Sequence, residues 1–165
     1  MSDTMQMLLR YKAWADEITF GALLNLPDHE VNKVRQTNFS TMTQTLNHVW
    51  VVDDIFRHHL TGQPHNYTAR NTSDTPPLRD LFEKQRDMNQ WYLDHANELD
   101  SEELADTIHF SFVRGGEGKM TREQIFLHLV NHATYHRGFV NDMMYQVPAK
   151  PPANDLPVFL RETKC

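Results

Sequence analysis

The sequence predicts an all-α protein, a four-helix bundle with a crossover connection and a short β-hairpin before its last long helix. Four stretches of roughly 20 residues carry apolar side chains at intervals of three and four residues, which is the spacing of one helix face. Six glycines and eight prolines among 165 residues leave room for long helices. The connections over residues 27–39 and 62–77 are longer than a simple up-and-down order needs, which predicts the crossover. A chain of this length fits one domain, residues 1–165.

The first helix is predicted from Asp3 or Thr4, either of which can cap it, to Leu26. It ends there because the residue before a proline resists the helical conformation. Its apolar stripe consists of Leu8, Tyr11, Ala15, Ile18 and Ala22.

The second helix is predicted to begin after Thr41, which stands at capping-box spacing from Gln44, and to run to about Leu60. Gly62 follows as a stop signal. The inner stripe is predicted to contain Thr45, His48, Val52, Ile55 and His59.

The third helix is predicted over residues 78–99, with Thr75 as its N-cap and a proline in its first turn. Before it, residues 62–77 form a polar loop that is long enough for a crossover or for a lid over a site. The inward side of the third helix is predicted to contain Leu78, Leu81, Phe82, Gln85, Met88, Tyr92 and Ala96.

A change of pattern follows at residues 107–113, which alternate and are rich in β-branched and aromatic side chains. With the turn-like residues 114–118, they predict a short hairpin that closes through Lys119 and Met120. Thr121 and Gln124 then form a capping box for the fourth long helix, which is predicted to end near Gln146. Residues 155–160 are expected to form a last helical turn.

Composition excludes several classes of function. The formal charge is −6 and no basic cluster is longer than a pair, so the footprint of a nucleic-acid-binding protein is missing. No apolar run approaches the roughly 18 residues of a membrane span. The single cysteine, Cys165, cannot form a disulfide within the chain, and the N-terminus lacks a signal-peptide pattern. We therefore expect a cytoplasmic protein that binds neither nucleic acid nor membrane.

Three of the ten histidines follow one another on the last predicted long helix. His128, His132 and His136 are spaced by four residues and therefore share one face. One ion takes ligands at about 2 Å, and so takes an adjacent pair more naturally than all three. By spacing alone, the earlier and the later pair are equally suitable. No glutamate follows the first histidine of either pair, so the His-Glu-x-x-His pattern of metalloproteases is absent.

A third metal ligand would have to come from elsewhere, and the best candidate is His48 on the second predicted helix. Its alternative interpretation is a core histidine with satisfied hydrogen bonds. Three imidazoles would make an open site for a divalent first-row ion such as zinc, nickel, iron or manganese. His59 lies on the same face as His48 but about 16 Å further along the axis, too far to join. Surface or loop positions are predicted for His58, His65, His95 and His109.

Three further residues are candidates for contacts around the metal or with a substrate. Asp53, with Asp54, is predicted on a solvated face; the alternative is that it orients a ligand histidine. Arg137 suits an anionic substrate group, and an ordinary ion pair is the alternative. His128 would stand beside the site if the ion takes the later histidine pair.

Several segments together resemble the DinB/YfiT-like superfamily of metalloenzymes, in the family's order and over nearly the whole chain. Four of them are Tyr11-Lys12-Ala13-Trp14-Ala15-Asp16, Leu24-Asn25-Leu26-Pro27-Asp28, Thr45-Leu46-Asn47-His48 with Asp53 or Asp54 after it, and Asn131-His132 through His136-Arg137-Gly138. The tail from Asp155-Leu156 through Leu160-Arg161-Glu162 is similar to the family's tail.

The resemblance implies a four-helix bundle with the family's connectivity, commonly dimeric. It also implies a divalent metal, often nickel or zinc, held by three histidines. The matching positions are His48, His132 and His136, which leaves His128 outside the trio. One departure is visible, because Phe139 stands where the family usually has glutamine.

The leading functional hypothesis is a metal-dependent enzyme that acts on a small molecule. Relatives in this superfamily include transferases and isomerases that use low-molecular-weight thiols, so this resemblance favours thiol chemistry, with metal-dependent hydrolysis behind it. Residues 62–77 and 107–120 are expected to shape the pocket. The competing hypothesis is a non-catalytic, metal-binding stress-response bundle that acts as a homodimer. A helical bundle without a metal is the third.

Overall fold

The structure is a computed structural model that describes residues 3–147 and 149–163. Over those residues the chain is mostly helical, with one small antiparallel sheet. In chain order the elements are α1 (Asp3–Leu24), α2 (Asp28–Val31), α3 (Met42–Thr61), α4 (Leu78–Glu98), α5 (Ser101–Ala105), β1 (Thr107–Ser111), β2 (Glu117–Thr121), α6 (Arg122–Met144) and α7 (Leu156–Thr163). No helix in these ranges combines the length and the apolar character needed to cross a membrane.

The local signals for helix ends are largely confirmed. The Thr41 side chain accepts a hydrogen bond from the backbone N–H of Gln44 at the start of α3, and Gly62 ends α3 with a φ of 67°. This left-handed conformation favours glycine, because glycine has no Cβ. Thr121 and Gln124 form the predicted capping box at the start of α6. The N-cap position of α1 falls before the described residues, as Cys165 falls after them.

The hairpin and the last helix are also confirmed, while three local features differ. Strands β1 and β2 pair antiparallel, with Ser111 opposite Glu117. The short helices α2 and α5 were not predicted, because each is only about one turn long and carries little periodicity. Pro77, rather than Thr75, occupies the N-cap position of α4.

The four long helices pack pairwise around the core. Helix α1 packs against α4 and α6, and α3 packs against the same two helices. Helix α7 lies on α1, β1 contacts α3, and β2 contacts α6. The hairpin is thereby held against the same two helices, α3 and α6, that carry the three candidate metal ligands.

The buried face of α1 matches the predicted stripe only in part. Tyr11 and Ala15 of that stripe are buried. Ile18 and Ala22 are only half-buried, whereas Lys12 and Asp16 are among the most buried side chains of the helix. Buried positions at steps of three and four residues are Met5, Leu9, Lys12, Asp16, Thr19 and Leu23, and Tyr11, Ala15 and Phe20 are buried beside them. The prediction left Lys12 and Asp16 out of this face because it followed apolar side chains alone.

Candidate metal centre

Helices α3 and α6 bring three distant histidines together. His48 comes from α3, and His132 and His136 come from successive turns of α6. One ring nitrogen of each lies within 4.8 Å of one nitrogen of each of the others. The Nε2 atoms of His48 and His132 are 3.1 Å apart. The structure therefore brings His48 close to the later of the two histidine pairs that spacing alone left equivalent.

A backbone carbonyl sets the tautomer of His48. Its Nδ1 lies 2.9 Å from the carbonyl oxygen of Arg70, in the loop between α3 and α4. Because a carbonyl oxygen only accepts, Nδ1 must carry the hydrogen, and the Nε2 of the neutral ring keeps its lone pair. That lone pair is on the nitrogen nearest His132. Metal-binding histidines typically have their second ring nitrogen held in this way.

The surroundings keep all three imidazoles neutral. Burial lowers the pKa of His132 to about 2, and the nearby His136 and His48 rings lower it too. Burial, together with His48, lowers the pKa of His136 to about 4. Burial also lowers the pKa of His48. A metal binds neutral imidazole, so little or no proton has to be displaced at neutral pH.

Phe39 supports the imidazoles from the loop between α2 and α3. Its ring stacks on His48 with 4.5 Å between ring centroids and meets His136 edge-on at 5.1 Å. This aromatic contact restricts the rotation of both rings. Sequence reasoning missed Phe39, because a single aromatic residue in a predicted connection has no periodic signal.

The donor set fits a divalent first-row ion. Two nitrogens bound to one tetrahedral zinc at about 2 Å are roughly 3.3 Å apart, close to the His48–His132 separation. The Nδ1 atoms of His132 and His136 are buried and have no hydrogen-bond partner within the described residues. No hydrogen bond in that part of the chain therefore holds the Nδ1 of either ring. Three histidines close together could hold such an ion, with further positions left for water or substrate.

His128 stands next to the group without joining it. Its ring centroid is 5.5 Å from that of His132 and 5.0 Å from that of Phe56. It is half-buried and lines a cavity on that side of His132. The ring of His128 therefore lies beside the three-histidine group, and its contact with a substrate stays a prediction.

Asp53 and Arg137 lie in a buried ionic network rather than in the positions first assigned to them. Asp53 is fully buried, not on a solvated face, and its carboxylate accepts from Lys12 at 2.8 Å and from Gln85 at 2.9 Å. Within the described part of the chain, no histidine donates a hydrogen bond to this carboxylate. Asp16 pairs with Lys12 at 3.1 Å and with Arg137 at 3.3 Å. Arg137 is 2 % exposed and makes the ordinary ion pair that was its alternative interpretation.

The cavity beside His132 has a volume of about 250 Å³. Its walls come from α3, α6, the hairpin and Arg70 of the loop between α3 and α4. Both segments expected to shape the pocket, residues 62–77 and 107–120, therefore do so. The lining residues are Val52, Ile55, Phe56, His59, Arg70, Phe110, Phe112, Val113, Met120, His128 and His132.

The remaining histidines of the prediction lie away from the group. His59 lines the far side of the cavity, stacked on Phe110 with 4.8 Å between centroids, and does not join the three ligands. His65 packs edge-on against His59 at 5.3 Å. His95 is half-buried and stacks on Trp91 at 4.8 Å, so it is not the surface histidine that was predicted.

Comparison with known proteins gives consistent matches. A family model described as "DinB family" matches residues 1–164. Protein DinB of Bacillus subtilis (strain 168) is 25% identical over 175 residues, which cover 99% of this chain and 98% of that protein. A crystal structure of a DinB-like protein from Bacillus cereus shares the fold with a TM-score of 0.67 at 18% identity, over 88% of this chain and 94% of that one.

Proposed function

The chain belongs to the DinB family, and on that premise we propose that it is a metal-dependent enzyme whose divalent ion is held by His48, His132 and His136. The observation that carries the proposal is the convergence of three neutral imidazoles, one of them oriented by a backbone carbonyl. Nickel or zinc is the expected ion, with iron and manganese as further candidates.

The proposal includes a four-helix bundle with crossover connections. Helices α1, α4, α3 and α6 pack around a ring in that order, which supports it. The consecutive long helices α1 and α3 are diagonal in this ring, and so are α4 and α6. The connections over residues 25–41 and 99–121 would therefore cross the bundle, and both contain structured segments. We also propose a homodimer, from family resemblance, which light scattering of the purified protein would test.

The chemistry we propose is transfer or isomerisation that uses a low-molecular-weight thiol. A bound ion would supply acidity, lowering the pKa of a thiol or water so that a nucleophile forms near neutral pH. The protein's own residues do the rest. The Arg70 carbonyl and Phe39 hold the ligand rings in place. The apolar cavity beside His132 excludes water and holds a substrate close to the ligand set.

Metal content tests the ligand assignment, and helix α6 offers a matched control. We expect about one divalent ion per chain in the purified protein, measured by elemental analysis. His132→Ala should abolish binding, whereas His128→Ala removes an imidazole one turn away and should keep the ion. Stoichiometric metal in His132→Ala, or its loss only in His128→Ala, would disprove the assignment. A protein that takes up no metal under any condition would be the helical bundle without a metal.

Activity tests the catalytic part separately. Conjugation of low-molecular-weight thiols to a panel of electrophiles should be measured with and without a chelator. Chelator-sensitive conjugation that is lost in His132→Ala and kept in His128→Ala supports the enzyme. Chelator-sensitive ester or amide hydrolysis in its place would favour a hydrolase. A stoichiometric metal without any chelator-sensitive activity across the panel would favour the non-catalytic metal-binding bundle.

A further inference from the structure

The cavity next to the three histidines is mostly apolar but contains one positive charge. Its walls are aliphatic and aromatic, with the half-buried rings of His59, His128 and His132 among them. Among the residues that line the cavity, Arg70 is the one whose side chain is permanently charged.

Arg70 is held in place by its backbone while its side chain stays available. Its carbonyl oxygen accepts the hydrogen bond from His48, which fixes this part of the loop against α3. Within the described residues, its guanidinium has no carboxylate partner and no hydrogen bond. Arg70 is an exposed residue and lines the cavity together with His128 and His132.

The volume limits the size of a ligand. An apolar protein cavity of about 150 Å³ holds one benzene molecule. By proportion, the volume of about 250 Å³ here holds roughly ten non-hydrogen atoms. That is one substituted aromatic ring or a short branched aliphatic chain. A cation at the rim of such a cavity favours a ligand with a single anionic group, and guanidinium matches a carboxylate with two parallel hydrogen bonds.

We propose that this cavity binds the apolar body of a small aromatic or aliphatic carboxylate of about ten non-hydrogen atoms, with its carboxylate on the Arg70 guanidinium. The role of this molecule as the substrate rests on the proposed function. Its binding rests only on the cavity and on Arg70.

A matched pair of probes tests the assignment by isothermal titration calorimetry on the full-length protein. The probes are 3-phenylpropanoate and its neutral analogue 3-phenylpropanamide. We expect the carboxylate to bind about tenfold more tightly than the amide, the effect of one charge-assisted contact. Arg70→Gln should reduce carboxylate binding to the level of the amide and leave the amide unchanged. The variant keeps the backbone carbonyl that holds His48.

Two further variants separate the charge from the cavity. Arg79→Gln removes an exposed arginine that does not line the cavity, and it should change neither affinity. Val113→Trp fills the cavity from the hairpin and should weaken both probes at least tenfold. Equal affinity of the two probes for the wild-type protein, unchanged carboxylate binding in Arg70→Gln, or no binding of either probe would each overturn the inference.

A chelator control separates carboxylate binding at Arg70 from carboxylate binding at a metal ion. Each titration is repeated after treatment with a chelator, because a carboxylate could also bind directly to an ion. Carboxylate binding that survives the chelator and is lost in Arg70→Gln supports the cavity assignment even if the metal analysis fails. Carboxylate binding that disappears with the chelator and persists in Arg70→Gln would contradict it and leave the metal proposal intact.

Discussion

Lys12 is the residue whose replacement should destabilise the protein most clearly. Its ammonium group is 3 % exposed and donates to Asp16, Asp53 and Asn89. Burial opposes the charge on Lys12, but the two carboxylates outweigh this effect and raise its pKa above the ordinary value. In Lys12→Met, Asp16 keeps its ion pair with Arg137, whereas Asp53 loses its cationic partner.

The expected loss of stability in Lys12→Met follows from the Asp53 carboxylate, which stays buried without a cationic partner. Removing one partner of a buried ion pair typically costs about 3–5 kcal/mol. For a chain of this size, 1 kcal/mol lowers the melting temperature by about 2–4 °C, so Lys12→Met should melt roughly 10 °C lower. Urea unfolding followed by circular dichroism measures the free energy of unfolding. Lys119→Met, at an exposed position on β2, is the control and should change it by less than about 0.5 kcal/mol.

A double variant checks the cause. Lys12→Met with Asp53→Asn removes the unpaired charge and should recover at least half of the loss. Without Lys12, the pKa of the buried Asp53 carboxyl should rise further, and a group with a raised native pKa stabilises the fold more as the pH falls. The deficit of Lys12→Met should therefore shrink between pH 7 and pH 5. A deficit below about 1 kcal/mol, or no recovery in the double variant, would refute this account of the network.

Three further changes have expected outcomes. In Gly118→Ala, the new Cβ would lie 2.6 Å from the Phe110 ring, so the ring must move; we expect a cost of about 1–3 kcal/mol in thermal unfolding, and unchanged stability would contradict the contact. Thr121→Ala removes the capping box of α6 and should cost about 1 kcal/mol in urea unfolding, with no loss if the cap is dispensable. Burial lowers the pKa of His59 to about 4, from about 6.5 in the unfolded chain. The stability that the neutral His59 ring contributes is therefore fully present above pH 6.5 and is lost as the pH falls towards 4. In His59→Gln, the free energy of unfolding should vary less with pH between about 6.5 and about 4. An unaltered pH dependence of unfolding would contradict the lowered pKa of His59.

Local features of the fold could be predicted from the sequence because their signals are local. The cap at Thr41, the left-handed stop at Gly62 and the capping box of α6 each involve side chains and backbone within a few residues. The hairpin followed from alternation and a glycine-containing turn. Short helices such as α5 escaped prediction because one turn cannot show a period.

The ionic network could not be predicted because its partners are far apart in the chain. Lys12 and Asp53 are separated by 41 positions, and Asp16 and Arg137 by 121. A signal was nevertheless present, since Lys12 and Asp16 continue the three- and four-residue spacing of Met5 and Leu9. A charged residue on an apolar stripe is evidence for a buried pair when a second, opposite charge shares the stripe.

The metal group was predictable only in part. Helical spacing placed His132 beside both His128 and His136, and nothing local could choose between the pairs. His48 lies 84 positions before His132, so no local spacing links the two. It was a candidate beside its interpretation as a core histidine, and the resemblance to a family favoured the ligand role. Arg70 was missed because its contribution to the ligand rings is a backbone carbonyl, which every residue type possesses.

The hydrogen bond from His48 to the Arg70 carbonyl couples the docking of loop 62–77 to the binding of an ion by the three histidines. Whatever factor the docked loop adds to the affinity of an ion, an ion must add to the docking of the loop. Two more bonds attach the same loop to α3, from Asn47 to Thr72 and from Tyr67 to Asp54. The rate of proteolysis within this loop should therefore fall as metal is added, and it reports ion binding at three imidazoles that the protease does not contact.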